Sequence, residues 1–258
     1  MTSDVRLDLD VPVARLTLAR PAKLNALTVP MLEALEDAAD QIEAAREVRA
    51  VVLTADGEKA FCVGADIIAW SELEPLDMWR LWTRHGHRVF ARLAQLRVPV
   101  VAALPGHAIG GGLELAAVAD LRIAEAHAKF GLPEAGIATV PGWSGTQRLV
   151  RRCGAQAVRQ LALLGDLIDA ERAHSLGIVD EVVPTGEGLA RATVLATRMA
   201  ERAPVSVQLA KQMINVAEGE APLDALEQLA GALAAFTDDA NEGAASFREK
   251  RQPRFQGR

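Results

Sequence analysis

The sequence predicts an α/β protein in which helices connect parallel strands. Short apolar strands alternate with helical segments as far as about residue 190, and only helical patterns follow. The 258 residues are 50% hydrophobic and 24% charged, which suits a globular chain with a large core. We therefore expect a core region over residues 1–190 and a C-terminal helical region over residues 191–258.

The first elements are a β-hairpin, a helix and a buried strand. Residues 5–9 and 13–18 alternate in polarity on either side of a proline turn, which is typical of a hairpin. Thr28 is a favourable N-cap for a helix in which apolar residues recur at helical spacing from Met31 onward. The apolar run at 50–54 then predicts a strand that ends in a turn.

Two further strands and two helices follow a loop at residues 61–66. A long helix is expected over 76–96, a strand over 98–103 and, after a run of glycines, a helix over 113–119. A short strand over 121–124 comes next. In the C-terminal region the predicted helices cover residues 191–200, 205–217 and 223–236.

The charge balance and the cysteines exclude several classes of protein. Lys and Arg total 28 against 34 Asp and Glu, and a net charge of −6 offers no basic field for a nucleic-acid backbone. Cys62 and Cys153 lack metal-ligand spacing, so we expect the reduced thiols of a cytoplasmic enzyme. The apolar stretch 98–119 contains prolines, a triple glycine and Glu114, which argue against a membrane span.

The triple glycine, residues 110–112, lies between a predicted strand and a predicted helix. Glycines there let a ligand approach the backbone, and the N–H groups at the start of a helix favour negative charge. Neither a phosphate-binding loop nor a dinucleotide fingerprint is present. The segment is interpreted either as an anion-binding turn or as a crossover that needs glycine only for packing.

Two glutamates near this turn are candidate proton-transfer groups. Glu114 falls in the first turn of an apolar helix, where a carboxylate is either a solvated partner of the helix dipole or a buried catalytic group. Glu134 follows a proline in a glycine-flanked turn 20 residues later. Two carboxylates beside one anion site can divide the base and acid roles between them.

Five sequence blocks resemble the enoyl-CoA hydratase/isomerase (crotonase) superfamily in their order and spacing, and the likeness covers nearly the whole chain. They are FCVGADI at 61–67, GGGLELA at 110–116, ADLRIA at 119–124, FGLPE at 130–134 and GTQRL at 145–149. The resemblance implies a spiral of ββα units with a C-terminal helical region that mediates trimerisation. It also implies a homo-oligomer, either a trimer or a hexamer, that acts on an acyl-CoA thioester.

The resemblance assigns a role to each motif residue. The backbone N–H groups of Ala65 and Gly111 would form an oxyanion hole for the thioester carbonyl. Glu114 would activate a water for addition at C3 of a 2-enoyl-CoA, and Glu134 would deliver a proton to C2. No metal or redox cofactor is implied, because CoA is part of the substrate. Retention of both glutamates favours hydration over isomerisation, and the resemblance implies a role in fatty acid metabolism.

Alternatives remain within and beyond the family. A Δ3,Δ2-enoyl-CoA isomerase generally needs one glutamate, at the Glu134 position, and a specialised acyl-CoA hydrolase is a further possibility. A role as an RNA-binding or scaffold protein is the non-enzymatic alternative, against which the negative charge weighs.

Further residues are expected to contact the substrate. Trp143 replaces a small residue usual in these hydratases, so it either walls the acyl pocket and selects short, branched or cyclic chains or fills a surface or subunit contact. Asp66 would contact CoA or cap the next helix. The other residues that the resemblance places at the substrate are Ile67, Gly110, Lys23 and Lys250.

Two other patterns are interpreted as structural. Trp70, Trp79 and Trp82 have helical spacing, which favours core or interface positions over ligand contacts. His85 and His87 flank a glycine without a third ligand nearby in the sequence, so no metal site is expected.

Overall fold

The computed structural model describes residues 4–258. It contains two compact units, one that ends at Lys211 and one that runs from Gln212 to Arg258. The predicted boundary at residue 190 stays a prediction. The strands are β1 (Val5–Asp8), β2 (Val13–Leu18), β3 (Ala50–Ala55), β4 (Ala60–Cys62), β5 (Val100–Leu104), β6 (His107–Ile109), β7 (Leu121–Glu125), β8 (Lys129–Gly131), β9 (Ile168–Asp169) and β10 (Glu181–Val183).

The helices are more numerous than the sequence patterns predicted. They are α1 (Val29–Ala44), α2 (Ile67–Ser71), α3 (Pro75–Asp77), α4 (Arg84–Ala94), α5 (Gly111–Ala116), α6 (Gly145–Cys153), α7 (Ala155–Leu164), α8 (Ala170–Ser175), α9 (Gly188–Ala200), α10 (Pro204–Ala217), α11 (Pro222–Ala235) and α12 (Asp238–Glu249). Short 3₁₀ turns cover Pro21–Lys23 and Pro133–Ile137. No helix within residues 4–258 is long and apolar enough to span a bilayer.

Ten strands form two sheets in the first unit. The larger sheet has the order β1-β2-β3-β5-β7-β10, and every pair in it is parallel except the β1–β2 hairpin. The smaller sheet has the order β4-β6-β8-β9, with β4, β6 and β8 mutually parallel. The predicted hairpin, the parallel crossovers and the α/β class are therefore confirmed.

The smaller sheet corrects the prediction for residues 61–66, which begin on β4 rather than in a loop. The strands β6 and β8 had no sequence prediction at all. Each of the three has only three residues, too few for an alternating pattern to be distinguished from an apolar turn. Because the three are parallel neighbours, their carboxyl ends meet at one edge of the sheet.

The larger sheet is covered on one side by α9. Ala192, Ala196 and Ala200 recur at four-residue spacing on this helix and are buried against apolar residues of the sheet. Small side chains let the helix axis approach the strands closely. A second, larger core contains residues of α1, α4 and α5 together with Leu53 of β3 and Phe61 of β4.

The predicted helix at 76–96 is helical but not uniform. It consists of α3, a π-helical segment at Met78–Thr83 and α4. A π-helical segment widens the turn and changes which side chains share a face. In the second unit, α12 was not predicted, although Thr237 is its N-cap and accepts a hydrogen bond from the N–H of Ala240 at 3.1 Å.

Candidate active site

Three loops meet where the parallel strands of the smaller sheet end. The loop after β4 carries Gly64 and Ala65, the loop after β6 carries Gly110, and the loop after β8 carries Pro133 and Glu134. Residues 65, 111 and 134, which are far apart in sequence, thus line one cavity. The order of the short strands, rather than any one loop, brings the predicted motifs together.

The cavity has a volume of about 390 Å³. Among the residues that the structure describes, Glu114 and Glu134 are the ionisable groups in its lining, and Thr83 and Thr139 carry its hydroxyls. The remaining side chains of the lining are apolar and come mainly from Val63, Ile67, Trp70, Met78, Trp82, Ile109, Ile137, Val140 and Trp143. A cavity of this size and character is typical of a small-molecule site.

The backbone conformation at residues 64 and 110 favours glycine. Their φ angles are +90° and +56°, a region that disfavours side chains. A Cβ at Gly64 would lie 3.0 Å from the nitrogen of Gly111, so the two loops approach closely. Gly111 begins α5, where the first N–H groups of a helix have no carbonyl partner within the helix.

The N–H of Ala65 is directed away from the neighbouring chain segment. Leu27 forms a parallel bridge opposite Ala65, in which the N–H of Leu27 donates to the carbonyl of Gly64 at 2.7 Å and the N–H of Asp66 donates to the carbonyl of Leu27 at 2.8 Å. In such a bridge the residue between those two partners directs its own N–H to the other side. Ala65 itself lines the cavity, as does Gly111.

Glu114 is held by three backbone N–H groups. The side chain is only 2% exposed, and its Oε1 accepts hydrogen bonds from the N–H groups of Trp143 at 2.9 Å and Gly145 at 2.8 Å. Oε2 accepts from the N–H of Gly142 at 3.3 Å. A Cβ at Gly145 would lie 2.2 Å from Cγ of Glu114, so this glycine is required by contact. The carboxylate is therefore buried rather than a solvated dipole partner.

Opposing effects act on the proton affinity of Glu114. Burial raises its pKa above the ordinary value, because a charged carboxylate is costly away from water. The three N–H donors and the positive charge of the buried Arg148 oppose that shift. Donors stabilise the ionised form, which is the form that can take a proton from water.

Glu134 is held much less firmly. It lies in the 3₁₀ turn Pro133–Ile137, and its buried Oε2 has no hydrogen-bond partner in the described chain. Burial, followed by the negative charge of Glu114, raises the pKa of Glu134 to about 7. A carboxyl of this pKa is protonated in a large fraction of molecules near neutral pH, so it can serve as an acid.

Trp143 is a wall of the cavity and not a surface residue. Its side chain is 3% exposed within the single chain, and its Nε1 donates to the carbonyl of Trp82 at 3.3 Å. The ring centroids of Trp82 and Phe90 lie 4.7 Å and 4.9 Å from that of Trp143. The surface or subunit contact that the sequence left open is therefore wrong for this side chain.

Ile67 and Gly110 also line the cavity, whereas Lys23, Asp66 and Lys250 do not. Asp66 caps α2, as one sequence interpretation expected, by accepting from the N–H of Ala69 at 3.3 Å. Its carboxylate also forms an ion pair with Arg20 at 2.8 Å. Lys23 is exposed at the end of a 3₁₀ turn, and Lys250 follows α12 in the second unit.

The sequence interpretation missed Trp70 and Trp82 as cavity residues. Trp82 belongs to the core, as predicted, but it also lines the cavity, and so does Trp70. Trp79 is 55% exposed. Trp82 shares the π-helical segment with Met78, another lining residue. A period of 3.6 residues cannot predict which side chains such a segment directs inward.

The histidines have other polar partners, and the cysteines are free thiols. His85 lies 3.1 Å from Glu36, and Nδ1 of His87 lies 2.9 Å from the hydroxyl of Ser144. Residues 4–258 contain no group of three or more His, Cys, Asp or Glu side chains that could hold a metal ion. Burial raises the pKa of the Cys62 thiol to about 12, which makes it unreactive.

Known proteins are similar to this chain over its whole length. The "Short-chain-enoyl-CoA hydratase" of Clostridium acetobutylicum is 38% identical over 97% of this chain and 96% of its own. The "Crotonyl-CoA hydratase" of Syntrophomonas wolfei is 35% identical over 98% and 97%. A crystal structure of enoyl-CoA hydratase from Bacillus anthracis superposes with a TM-score of 0.81 at 34% identity, covering 99% of this chain and 100% of that one.

These similarities confirm the crotonase fold that the five sequence blocks predicted. A sequence model described as enoyl-CoA hydratase/isomerase matches residues 10–258, which is nearly the whole chain. The chain therefore belongs to the enoyl-CoA hydratase/isomerase family.

Proposed function

We propose that this protein is an enoyl-CoA hydratase that adds water reversibly across the double bond of a 2-enoyl-CoA to give a 3-hydroxyacyl-CoA. The observation that carries the proposal is the meeting of Glu114, Glu134 and the N–H groups of Ala65 and Gly111 at one apolar cavity. Relatives named as short-chain enoyl-CoA and crotonyl-CoA hydratases support the same reaction.

The two N–H groups bind the thioester oxygen. As they polarise the carbonyl, C3 of the conjugated acyl group becomes electrophilic and negative charge develops on that oxygen. Each well-placed donor contributes about a hundred- to a thousand-fold in rate in comparable oxyanion sites. The glycines at 64, 110 and 111 allow the backbone to come close to the substrate.

The two carboxyls move the protons. Glu114 takes a proton from a water as the water oxygen forms a bond to C3, and the electron pair of the double bond passes to the thioester oxygen as an enolate. Glu134 then donates its proton to C2 as the carbonyl re-forms. Transfer of a proton back through solvent restores both groups. The cage of N–H groups around Glu114 supports its role as the ionised base.

An elaborate site for Glu114 favours hydration over isomerisation. Three hydrogen bonds and a required glycine position this carboxylate, which an isomerase with one glutamate would not need. The remaining assignments follow the family resemblance. Asp66, Lys23 and Lys250 are proposed to act at the CoA moiety, and the chain is proposed to work without a metal or redox cofactor as a cytoplasmic trimer or hexamer.

The test uses purified protein with crotonyl-CoA and with a 3-enoyl-CoA. We expect the absorbance of the conjugated thioester to disappear with the first substrate, and E114Q to abolish that loss. Conversion of the 3-enoyl-CoA alone would contradict the hydratase proposal and indicate an isomerase. Release of free CoA would instead indicate a hydrolase.

A further inference from the structure

The indole of Trp143 is clamped between two glycines on different helices. A Cβ at Gly86 of α4 would lie 2.3 Å from Nε1 and 2.4 Å from Cε2 of the indole. A Cβ at Gly111 of α5 would lie 2.9 Å from Cζ3, on the opposite edge of the ring. An ordinary contact needs 3.4–4 Å, so neither position can carry a side chain while the indole stays where it is.

The clamped indole closes the cavity toward the core. Trp143 lines the cavity, whereas Phe90, which contacts the indole at a centroid distance of 4.9 Å, is fully buried and belongs to the core. The hydrogen bond from Nε1 to the carbonyl of Trp82 holds the ring in this position. Without the indole, the space beside Gly86 and Phe90 would become continuous with the cavity.

The charges in the cavity lining further restrict which acyl groups it can bind. Within the described residues, Glu114 and Glu134 are the ionisable side chains of the lining, and it has no Lys, Arg or His. A second carboxylate on the acyl group would meet no cation and would be repelled by Glu114. The cavity therefore suits an uncharged acyl group.

We propose that Gly86 is a positioning residue for substrate selection: by seating the indole of Trp143 against Gly111, it limits the substrate to short, uncharged 2-enoyl thioesters. The proposal rests on the hydratase function proposed above and deepens it by defining the acyl group. It also gives a role to the glycine between His85 and His87.

Gly86 is explained by its contact with Trp143 and not by the preferences of the helix. A glycine inside a helix is less favourable than alanine by about 1 kcal/mol, so Gly86 costs α4 some stability. Gly231 of α11 is a matched contrast, because no atom lies within 4 Å of the Cβ that it would carry. At Gly86 the obstruction is the indole itself, so the cost of a Cβ there depends on residue 143.

The first experiment measures acyl-chain selectivity in the Trp143→Leu variant. The unreactive thioesters butyryl-CoA and octanoyl-CoA are titrated calorimetrically, so that the result does not depend on catalysis. We expect the affinity ratio of octanoyl-CoA to butyryl-CoA to rise on the order of tenfold or more, since the chain can enter the space vacated by the indole. The backbone N–H of residue 143, which Glu114 requires, is retained. Trp143→Met serves if the Leu variant does not fold.

The second experiment is a double-mutant cycle with Gly86→Ala. In the wild-type background the new Cβ pushes the indole about 1 Å toward Gly111 and the oxyanion site, so kcat/KM for crotonyl-CoA should fall on the order of 10- to 100-fold. In the Trp143→Leu background the obstruction is gone, and the same substitution should cost far less. Gly231→Ala is the control and should leave both kcat/KM and the affinity ratio unchanged.

The outcomes distinguish a failure of the proposed Gly86–Trp143 contact from a failure of the proposed hydration reaction. The proposed role of Gly86 is overturned if Trp143→Leu leaves the affinity ratio unchanged. It is also overturned if Gly86→Ala lowers kcat/KM equally in both backgrounds, and either result counts even if crotonyl-CoA is hydrated. If the wild type hydrates no enoyl thioester but Trp143→Leu still shifts the affinity ratio, the proposed reaction is wrong while the part of Trp143 in acyl selection stands.

Discussion

Glu114 and Glu134 line the same cavity, but their surroundings differ in kind. Glu114 is 2% exposed and accepts three backbone hydrogen bonds from the loop at residues 142–145. Glu134 has a buried oxygen without a hydrogen-bond partner in the described chain, and its pKa is raised to about 7. The same residue type is thus fixed in position at one site and poised to hold a proton at the other.

This difference shows how a fold can assign acid and base roles to two identical side chains. Burial raises the pKa of both carboxyls, but three backbone donors oppose that shift at Glu114, whereas the negative charge of Glu114 adds to it at Glu134. The donors come from a loop far from Glu114 in sequence, so tertiary structure and not the local motif sets the roles.

The largest effects should come from removing each carboxylate. E114Q should lower kcat by about 10²- to 10⁴-fold, because the amide cannot act as a base, and E134Q should cause a loss of the same order by removing the acid. The stability effects should differ, since the amide introduced by E114Q would direct an N–H group at a backbone donor, whereas Oε2 of Glu134 has no hydrogen-bond partner in the described chain. Steady-state kinetics and thermal unfolding of both variants measure the contrast. Equal losses of stability would contradict it.

Substitutions of the glycines beside Glu114 and Glu134 should have smaller effects on the rate, and they test the same difference between the two carboxylates. Gly145→Ala places a Cβ 2.2 Å from Cγ of Glu114, which must move, so kcat/KM should fall by about a hundredfold. The Cβ added by Gly110→Ala would lie 3.1 Å from Oε1 of Glu134, where the end of a side chain can shift, so the loss of kcat/KM should be smaller. Its cost should instead be a loss of stability on the order of 1–3 kcal/mol, because side chains rarely adopt φ +56°, ψ −129°.

Gly243→Ala is a control for both variants, because its Cβ would make an ordinary contact of 3.7 Å with Phe255. A greater loss of kcat/KM in Gly110→Ala than in Gly145→Ala would contradict the tighter positioning of Glu114.

The pH dependence of the rate tests Glu134 by itself. If its protonated carboxyl is the acid, kcat/KM for crotonyl-CoA should fall as the pH rises through about 7, approaching about tenfold for each pH unit. The residual activity of E134Q should lack this limb, since its amide does not titrate. The same limb in both proteins would assign the pH dependence to another group.

The titration of Glu134 should also change the free energy of unfolding, with a smaller effect than on the rate. The pKa of Glu134 is about 7 in the folded protein against an ordinary value of 4.5, so the folded state binds the proton more tightly. The stabilisation of the folded protein by this protonated carboxyl is fully present below about pH 4.5 and is lost as the pH rises to about 7. Since E134Q has no such group, its free energy of unfolding should rise relative to that of the wild type by on the order of 1–2 kcal/mol when the pH is raised from 4 to 8. Urea unfolding at both pH values measures this, and a constant difference would contradict it.

Much of the fold could be predicted from the sequence because its signals are local. The hairpin, the cap of α1 at Thr28 and the strand β3 depend on alternation, a capping side chain and an apolar run. The strands β4, β6 and β8 could not be predicted, since three residues give no period and their pairing depends on distant neighbours. These are the strands that assemble the site.

The site was predictable as a set of residues but not as an electrostatic arrangement. The motif blocks named Glu114, Glu134 and Gly111, all of which line the cavity. Their sequence does not show that Oε2 of Glu134 lacks a partner or that the loop at 142–145 donates to Glu114. The clamp at Gly86 and the inward face of the π-helical segment likewise depend on contacts between distant elements.

The most direct test is a titration of Glu134 by NMR, with isotope-labelled glutamate carboxyls and E134Q to assign the signal. We expect a pKa of about 7 for Glu134 in the wild type and a lower pKa in E114Q, where the neighbouring negative charge is absent. A pKa for Glu134 near the ordinary 4.5 in both proteins would contradict the division of acid and base roles between the two carboxyls.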